Sequence, residues 1–162
     1  MVKYLGLILI VITGFGAGFY YSLRLKNRFE FLSAFKDFLS TLETNMRYNC
    51  SDIFTIVKNS APDMLRNVFI NDESSDFQRY WKSCISSVPK RYALKKEDYN
   101  LFYEFGRILG TTDIDGQLNH IKLYRELLNN NIDNSLKELK QKSKLSKLLG
   151  LFAGLSLALI LL

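Results

Sequence analysis

The chain has 162 residues and a net charge of +6, a length that fits one domain of ordinary size. The charge is uneven, because residues 1–28 and 137–162 hold nine basic residues and one acid, whereas residues 29–136 hold thirteen basic residues and fifteen acids. A nucleic-acid-binding domain needs its positive charge on the folded part of the chain. The composition therefore argues against nucleic acid as a partner.

The first predicted element is a transmembrane helix over residues 1–23. The run from Tyr4 to Tyr21 has eighteen residues without a charge, which is about the length that crosses a bilayer. A cleaved signal peptide is the competing interpretation, but bulky aromatic residues stand where small residues would mark cleavage, and basic residues follow at once. Gly14 and Gly18 are four residues apart, a spacing typical of close packing between membrane helices.

Residues 24–144 are predicted to form a cytoplasmic bundle of six α-helices, with basic segments next to the membrane. Apolar residues recur there at spacings of three and four, as on one face of a helix. In the first of these helices the apolar stripe is Leu32, Phe35, Leu39, Leu42 and Met46. The helices are expected over residues 29–47, near 53–57, over 62–69, 77–88 and 101–109, and from 114 toward the second span. Three adjacent asparagines, Asn129–Asn131, predict a kink or fraying in the last helix. Cys50 and Cys84 are interpreted as small buried apolar residues.

The fifth and sixth helices are expected to form a tight hairpin. Gly110 is the natural left-handed terminator of the fifth helix, and Thr112 or Asp113 caps the sixth. Ile114, Leu118 and Ile121 should face the core, which leaves Asp113 and Gln117 on a neighbouring polar face. Two interpretations stay open for this polar pair, because it can either lock the hairpin or form an edge that a partner protein contacts.

A second transmembrane helix is predicted over residues 145–162, so the complete fold is all-α, with one membrane span at each end. The run from Leu148 to Leu162 has fifteen uncharged residues, and Gly150 and Gly154 repeat the four-residue glycine spacing of the first span. Basic residues follow the first span and precede the second. This bias keeps the middle of the chain in the cytoplasm.

Sites for catalysis or cofactors are not indicated. The sequence lacks a phosphate-binding loop, an HExxH or CxxC motif, and the residue order of a catalytic triad. His120 is the only histidine, so a centre built from several histidines is excluded, and a solvated or hydrogen-bonded role is expected for it. The paired acids Glu97–Asp98 and Asp113–Asp115 are typical of first helical turns. The sequence predicts a protein that is not an enzyme, with no cofactor and no metal.

The order of these elements resembles the stage III sporulation protein AB family. The resemblance covers nearly the whole chain and is carried by the two spans, the lysine-rich approach to the second span, and the segment FGRILGTTDIDGQLNHI. Within that segment, Leu109, Gly110, Asp113 and Gln117 match the family motif, and they are the candidate residues for docking a partner. That family is similar in turn to the cytoplasmic helical domain of the F component of the type II secretion platform.

This resemblance implies a role as a membrane platform protein of the secretion-like channel between mother cell and forespore. The implied location is the mother-cell membrane that surrounds the forespore. Its implied partners are the secretion-type ATPase called stage III sporulation protein AA, the other membrane proteins of the same complex, and the lipid bilayer. Self-association stays open. The alternative function is a membrane-anchored regulatory adaptor or scaffold unrelated to secretion.

Overall fold

The computed structural model describes residues 2–48, 52–63, 65–66 and 76–161, with side chains from residue 5 onward. These residues contain five α-helices and one short 3-10 turn, without β-strands, which confirms the all-helical prediction. In chain order the elements are α1 (Val2–Tyr48), α2 (Ile53–Ser60), α3 (Phe77–Ser86), the 3-10 turn (Lys90–Tyr92), α4 (Lys96–Ile108) and α5 (Ile114–Ile160).

The helix expected over residues 62–69 is only partly covered by the described residues. The backbone N–H groups of Leu65 and Arg66 each donate to the carbonyl oxygen of Pro62 at 2.8 Å, so a helical turn begins at that proline. The rest of the expected helix, with Met64 and Val68, lies outside the described residues. The count of five therefore differs from the expected six at this segment.

Helices α1 and α5 are each 47 residues long, and both are long and apolar enough to cross a membrane. The expected spans are thus continuous with the first and last bundle helices, because the only prolines of the chain, Pro62 and Pro89, lie outside them. The fraying expected as one outcome at Asn129–Asn131 does not occur, since α5 passes through these residues without interruption. Asn131 instead donates to a carboxylate oxygen of Asp98.

The chain divides into two compact units. Unit 1 contains residues 1–29 and 134–162, and unit 2 contains residues 30–133. Both unit boundaries fall inside long helices. The first membrane span is expected to end at residue 23 and the second to begin at residue 145. These limits depend on the position of the bilayer and stay predictions.

Aromatic side chains of α1, α3 and α4 pack against one another in the core of unit 2. Phe35 lies 4.3 Å from Phe102 between ring centroids, and the Trp81 indole N–H donates to the Phe102 carbonyl oxygen at 2.8 Å. The predicted α1 stripe is confirmed as core, because its first four members are fully buried: Leu32, Phe35, Leu39 and Leu42. Cys84 is also buried, as expected, whereas Cys50 lies outside the described residues.

Candidate functional site

The turn between α4 and α5 is shaped by two residues that the sequence singled out. Gly110 has a φ of +83°, the left-handed conformation expected for the terminator of α4. Of the two candidate caps, Asp113 takes the role, because its Oδ1 accepts the backbone N–H of Gly116 at 3.1 Å. The Thr112 hydroxyl instead accepts a hydrogen bond from the Gln117 side chain. The hairpin is therefore closed by turn chemistry local to residues 110–117.

Gln117, which was expected on a polar face beside the core-facing residues, lies inside this turn. Its side chain is only 5% exposed, and its Oε1 accepts the Gly110 backbone N–H at 3.0 Å. Its amide nitrogen donates to the Thr112 hydroxyl at 2.9 Å. The reason is geometric, since the first turn of α5 carries Gln117 over the open backbone groups at the end of α4. For Gln117 the geometry favours the hairpin lock.

The four family-motif residues divide into two groups by exposure. Leu109 and Gln117 are buried, whereas Gly110 and Asp113 are exposed. Contact of these residues with a partner stays a prediction. Leu109 packs in the core of unit 2, so the exposed part of the motif is the turn itself.

Gly116 is a site residue that the sequence reasoning missed. A Cβ atom built on it would lie 2.7 Å from Asp113 Oδ1 and 2.8 Å from the Thr112 hydroxyl oxygen. Only glycine allows the capping carboxylate to approach this closely. The available signal was a glycine within a first helical turn, three residues after an aspartate that can cap it.

Ile114 is exposed, and the expectation that it faces the core is wrong. It is 63% exposed because it is the first residue of α5 and lies beyond the end of the core, whereas Leu118 and Ile121 of the same stripe are buried. Asp113 and Asp115 flank it, and both are exposed. We call Asp113, Ile114 and Asp115 the tip surface. It presents one apolar side chain between two acidic residues.

Helix α3 holds the end of α4 from another direction. The Gln78 side-chain amide donates to the Arg107 carbonyl oxygen at 3.1 Å, and its own helix is capped by Asp76, whose Oδ1 accepts the Gln78 N–H at 3.0 Å. The bond to Arg107 satisfies a carbonyl group that the last turn of α4 leaves open. The turn that carries the tip surface is thus fixed by both neighbouring helices.

His120 has a structural environment. Its Nε2 donates to the Phe105 carbonyl oxygen at 3.0 Å, and its ring stacks on Phe105 with 5.3 Å between centroids. Tyr124 lies against the same imidazole at 4.5 Å. Burial, followed by the Glu104 carboxylate, raises the pKa of the Tyr124 hydroxyl above 10. Within the described part of the chain, no group of three side chains is arranged to hold a metal ion.

The four glycines predicted to pack membrane helices lie between the two helical segments of unit 1. A Cβ on Gly14 would lie 2.6 Å from the Gly150 carbonyl oxygen and 3.0 Å from Gly154 Cα. A Cβ on Gly18 would overlap the carbonyl oxygen of Ser146. The backbones of α1 and α5 thus approach as closely as glycine permits.

Polar side chains continue this contact within unit 1, and the sequence reasoning did not find them. The hydroxyl oxygens of Ser22 and Ser143 are 2.5 Å apart. Arg28 is buried, and its guanidinium lies 3.2 Å from a carboxylate oxygen of Glu138. These partners are more than a hundred residues apart in sequence, so residue spacing carries no signal for them.

Comparison with known proteins places the whole chain in one family. The family model described as stage III sporulation protein AB matches residues 3–162. A curated relative, stage III sporulation protein AB of Bacillus subtilis (strain 168), is 26% identical over 170 residues, which cover 99% of this chain and 99% of the relative. No solved structure matches the chain. Because the family model covers nearly every residue, the chain belongs to the stage III sporulation protein AB family.

Proposed function

We propose that this protein is a membrane platform component of the secretion-like channel between mother cell and forespore. It couples a cytoplasmic ATPase to the membrane complex without catalysing a reaction itself. Family membership over residues 3–162 supports a role in sporulation, and the family description names no catalytic activity. The two long apolar helices support a membrane location. The finer role rests on the resemblance that we infer from the sequence between this family and the type II secretion platform.

The proposed topology places unit 2 in the mother-cell cytoplasm and the apolar segments of unit 1 in the membrane that surrounds the forespore. Eight basic residues and one acid lie next to the apolar segments on the side of unit 2, against Lys3 before the first span, a bias typical of the cytoplasmic side. Unit 2 has its own aromatic core. It can therefore present a rigid surface to a cytoplasmic partner.

The exposed Ile114 at the tip surface is the observation that carries the proposal. An exposed apolar side chain between charged neighbours matches a protein-binding surface, with an apolar centre and a polar rim. The Gln117 lock and the Asp113 cap hold this turn in one conformation, so little ordering entropy is lost on binding. We assign the tip surface to the ATPase, stage III sporulation protein AA.

The test is copurification of the detergent-solubilised full chain with that ATPase. The variants Ile114→Glu and Asp115→Lys change the tip surface without touching the lock. Ile114→Glu should weaken binding by about tenfold or more, as loss of a central interface residue does. Asp115→Lys should weaken it less, because Asp115 belongs to the polar rim. Leu123→Glu is the matched control, because Leu123 is an exposed apolar residue of the same helix outside the tip. Its binding should change by less than about twofold.

A third variant, Gln117→Ala, separates the lock from the docking surface. It should lower the thermal unfolding temperature, whereas Ile114→Glu should leave it unchanged. Wild-type binding by Ile114→Glu would remove the tip surface as the docking site. The platform role is wrong if the unmodified chain fails to copurify with the ATPase and if deletion of the gene for this chain leaves sporulation intact. The adaptor function then replaces it.

A further inference from the structure

Four lysines form a stripe along the second segment of unit 1. Lys137, Lys140, Lys144 and Lys147 follow one another at spacings of three, four and three residues, so they share one face of α5. Ser143 and Gly150 contact α1, and Lys147 lies at the edge of that contact, beside Gly18 and Phe19. We call these four residues the lysine stripe.

Carboxylates do not neutralise this stripe within unit 1. The only acid in residues 1–29 and 134–162 is Glu138. Its two oxygens are bound by Arg28 and Lys142, each at 3.2 Å. Among the described residues, no ion pair involves any lysine of the stripe. The ammonium groups of the stripe therefore stay available to anions from outside the chain.

The stripe ends at Lys147, next to the exposed apolar side chains of the second membrane span. Lys147 directly precedes the uncharged run, and its Nζ lies 5.4 Å from the centre of the Phe19 ring, near the end of the first apolar run. Beyond Lys147, apolar side chains such as Phe152 are more than half exposed. An aromatic ring beside a lysine at such a boundary is typical of the bilayer interface.

The rise of the helix per residue then sets how far each lysine lies from Lys147 and from the apolar surface. At about 1.5 Å per residue, Lys144 lies about 4–5 Å above Lys147 along the helix, Lys140 about 10 Å and Lys137 about 15 Å. The headgroup layer of one leaflet is about 5–7 Å thick. Lys147 and Lys144 thus fall within the layer, Lys140 reaches it with its long side chain, and Lys137 lies beyond it.

We propose that Lys140, Lys144 and Lys147 bind the phosphate groups of anionic phospholipids. A phospholipid matches both parts of this surface, because its phosphate meets the ammonium groups while its acyl chains cover the exposed side chains that follow Lys147. Nucleic acid offers phosphate but no apolar portion. An acidic protein would need a second apolar face to cover Phe152.

The test is competition between phosphatidylglycerol and phosphatidylcholine for the full chain in mixed detergent micelles, with bound lipid counted by native mass spectrometry. Each lysine near an anionic surface contributes about fivefold in affinity. Lys147→Gln should therefore reduce the phosphatidylglycerol preference about fivefold, Lys144→Gln by a similar factor, and Lys140→Gln by less. Lys137→Gln should have the smallest effect, less than about twofold, because Lys137 lies about 8–10 Å beyond the headgroup layer, close to the screening length of about 10 Å at moderate salt.

The matched control removes the same number of positive charges from unit 2. Lys90, Lys96 and Lys122 are exposed there, and the triple substitution to glutamine should leave the lipid preference unchanged. The triple variant of Lys140, Lys144 and Lys147 should bind both lipids equally while keeping its helical circular dichroism.

Three outcomes would overturn the proposal. The first is equal binding of both lipids by the unmodified chain. The second is a loss of phosphatidylglycerol preference in the unit 2 control as large as that in the triple variant of Lys140, Lys144 and Lys147. The third is a loss of this preference in Lys137→Gln as large as that in Lys147→Gln. Displacement of phosphatidylglycerol by an excess of inorganic phosphate would assign the lysines to a free anion instead.

Discussion

The Asn131 side chain donates to Oδ1 of Asp98 at 3.0 Å, and the other Asp98 oxygen accepts the Lys95 backbone N–H at 2.8 Å. Asp98 is fully buried, so one carboxylate both caps α4 and joins α4 to α5. The sequence had suggested only a first-turn acid at this position. The asparagine expected to disturb α5 instead supplies the partner of a buried acid.

Replacing Asp98 by Ala should lower the free energy of unfolding by about 2–3 kcal/mol, since it removes the cap and leaves the Asn131 amide without this acceptor. Asn131→Ala should cost about 1–2 kcal/mol. Denaturant unfolding of the two single variants and the double variant gives the coupling energy. Strict additivity would show that the Asp98–Asn131 bond contributes nothing to stability.

Gly106 packs directly against the indole of Trp81. A Cβ at this position would overlap the indole ring, whose N–H bond to Phe102 resists movement. Gly106→Ala should therefore destabilise unit 2 by about 2–3 kcal/mol, although the same change in an open helix stabilises by about 1 kcal/mol.

Thermal unfolding followed by Trp81 fluorescence measures this loss. Gly16→Ala is the control, because a Cβ at Gly16 has no neighbour within 4 Å, and its unfolding temperature should stay the same or rise slightly. A stabilised Gly106→Ala variant would contradict the packing of Trp81 described above.

The contact between the two segments of unit 1 predicts a specific disulfide. Ser22 and Ser143 face each other with hydroxyl oxygens 2.5 Å apart, so cysteines at both positions should oxidise within one chain. The background carries Cys50→Ser and Cys84→Ala, and protection from a maleimide reagent reports the bond. Adding Gly150→Val should reduce the yield of this disulfide several-fold, because the valine side chain would overlap the Gly14 carbonyl oxygen.

The control pair places cysteines at Ser22 and Ser156. Position 156 lies thirteen residues, or about 20 Å, farther along α5 than Ser143, so this pair should stay reduced. Equal oxidation of both pairs would contradict the pairing of α1 with α5.

Two tyrosines predict a loss of stability at alkaline pH. Burial, then the charges of Tyr103 and Asp98, raises the pKa of Tyr99 above its usual value of 10.0, and burial and Glu104 raise the pKa of Tyr124. Below pH 10 both hydroxyls are protonated in the folded and unfolded chains. Above pH 10 the unfolded chain loses protons that the folded chain still holds, so the free energy of unfolding decreases as pH rises.

Urea unfolding measures this slope between about pH 9 and about pH 11, a range that includes the ordinary pKa of tyrosine. The double variant Tyr99→Phe and Tyr124→Phe should have a shallower slope than the unmodified chain. Tyr48→Phe is the control, because Tyr48 is largely exposed. An unchanged slope in the double variant would show that these hydroxyls do not titrate differently on folding.

Much of the local structure was predictable from the sequence. The spacing of Leu32, Phe35 and Leu39 identified the buried face of α1, since a helix repeats every 3.6 residues. Gly110 was predictable as the terminator because left-handed backbone favours glycine. The exposure of Ile114 was not predictable, because periodicity gives the direction of a side chain but not the point along the helix where the core ends.

The sequence by itself determined the helical class, the two apolar runs and the turn at Gly110, because each depends on residues close together in the chain. The tertiary structure decided which polar groups lie inside. Gln117 is buried by the backbone of the preceding turn, and Arg28 is buried beside a carboxylate 110 residues away. A buried polar group is stable only when a partner satisfies it, and a partner brought in from another helix leaves no trace in local spacing.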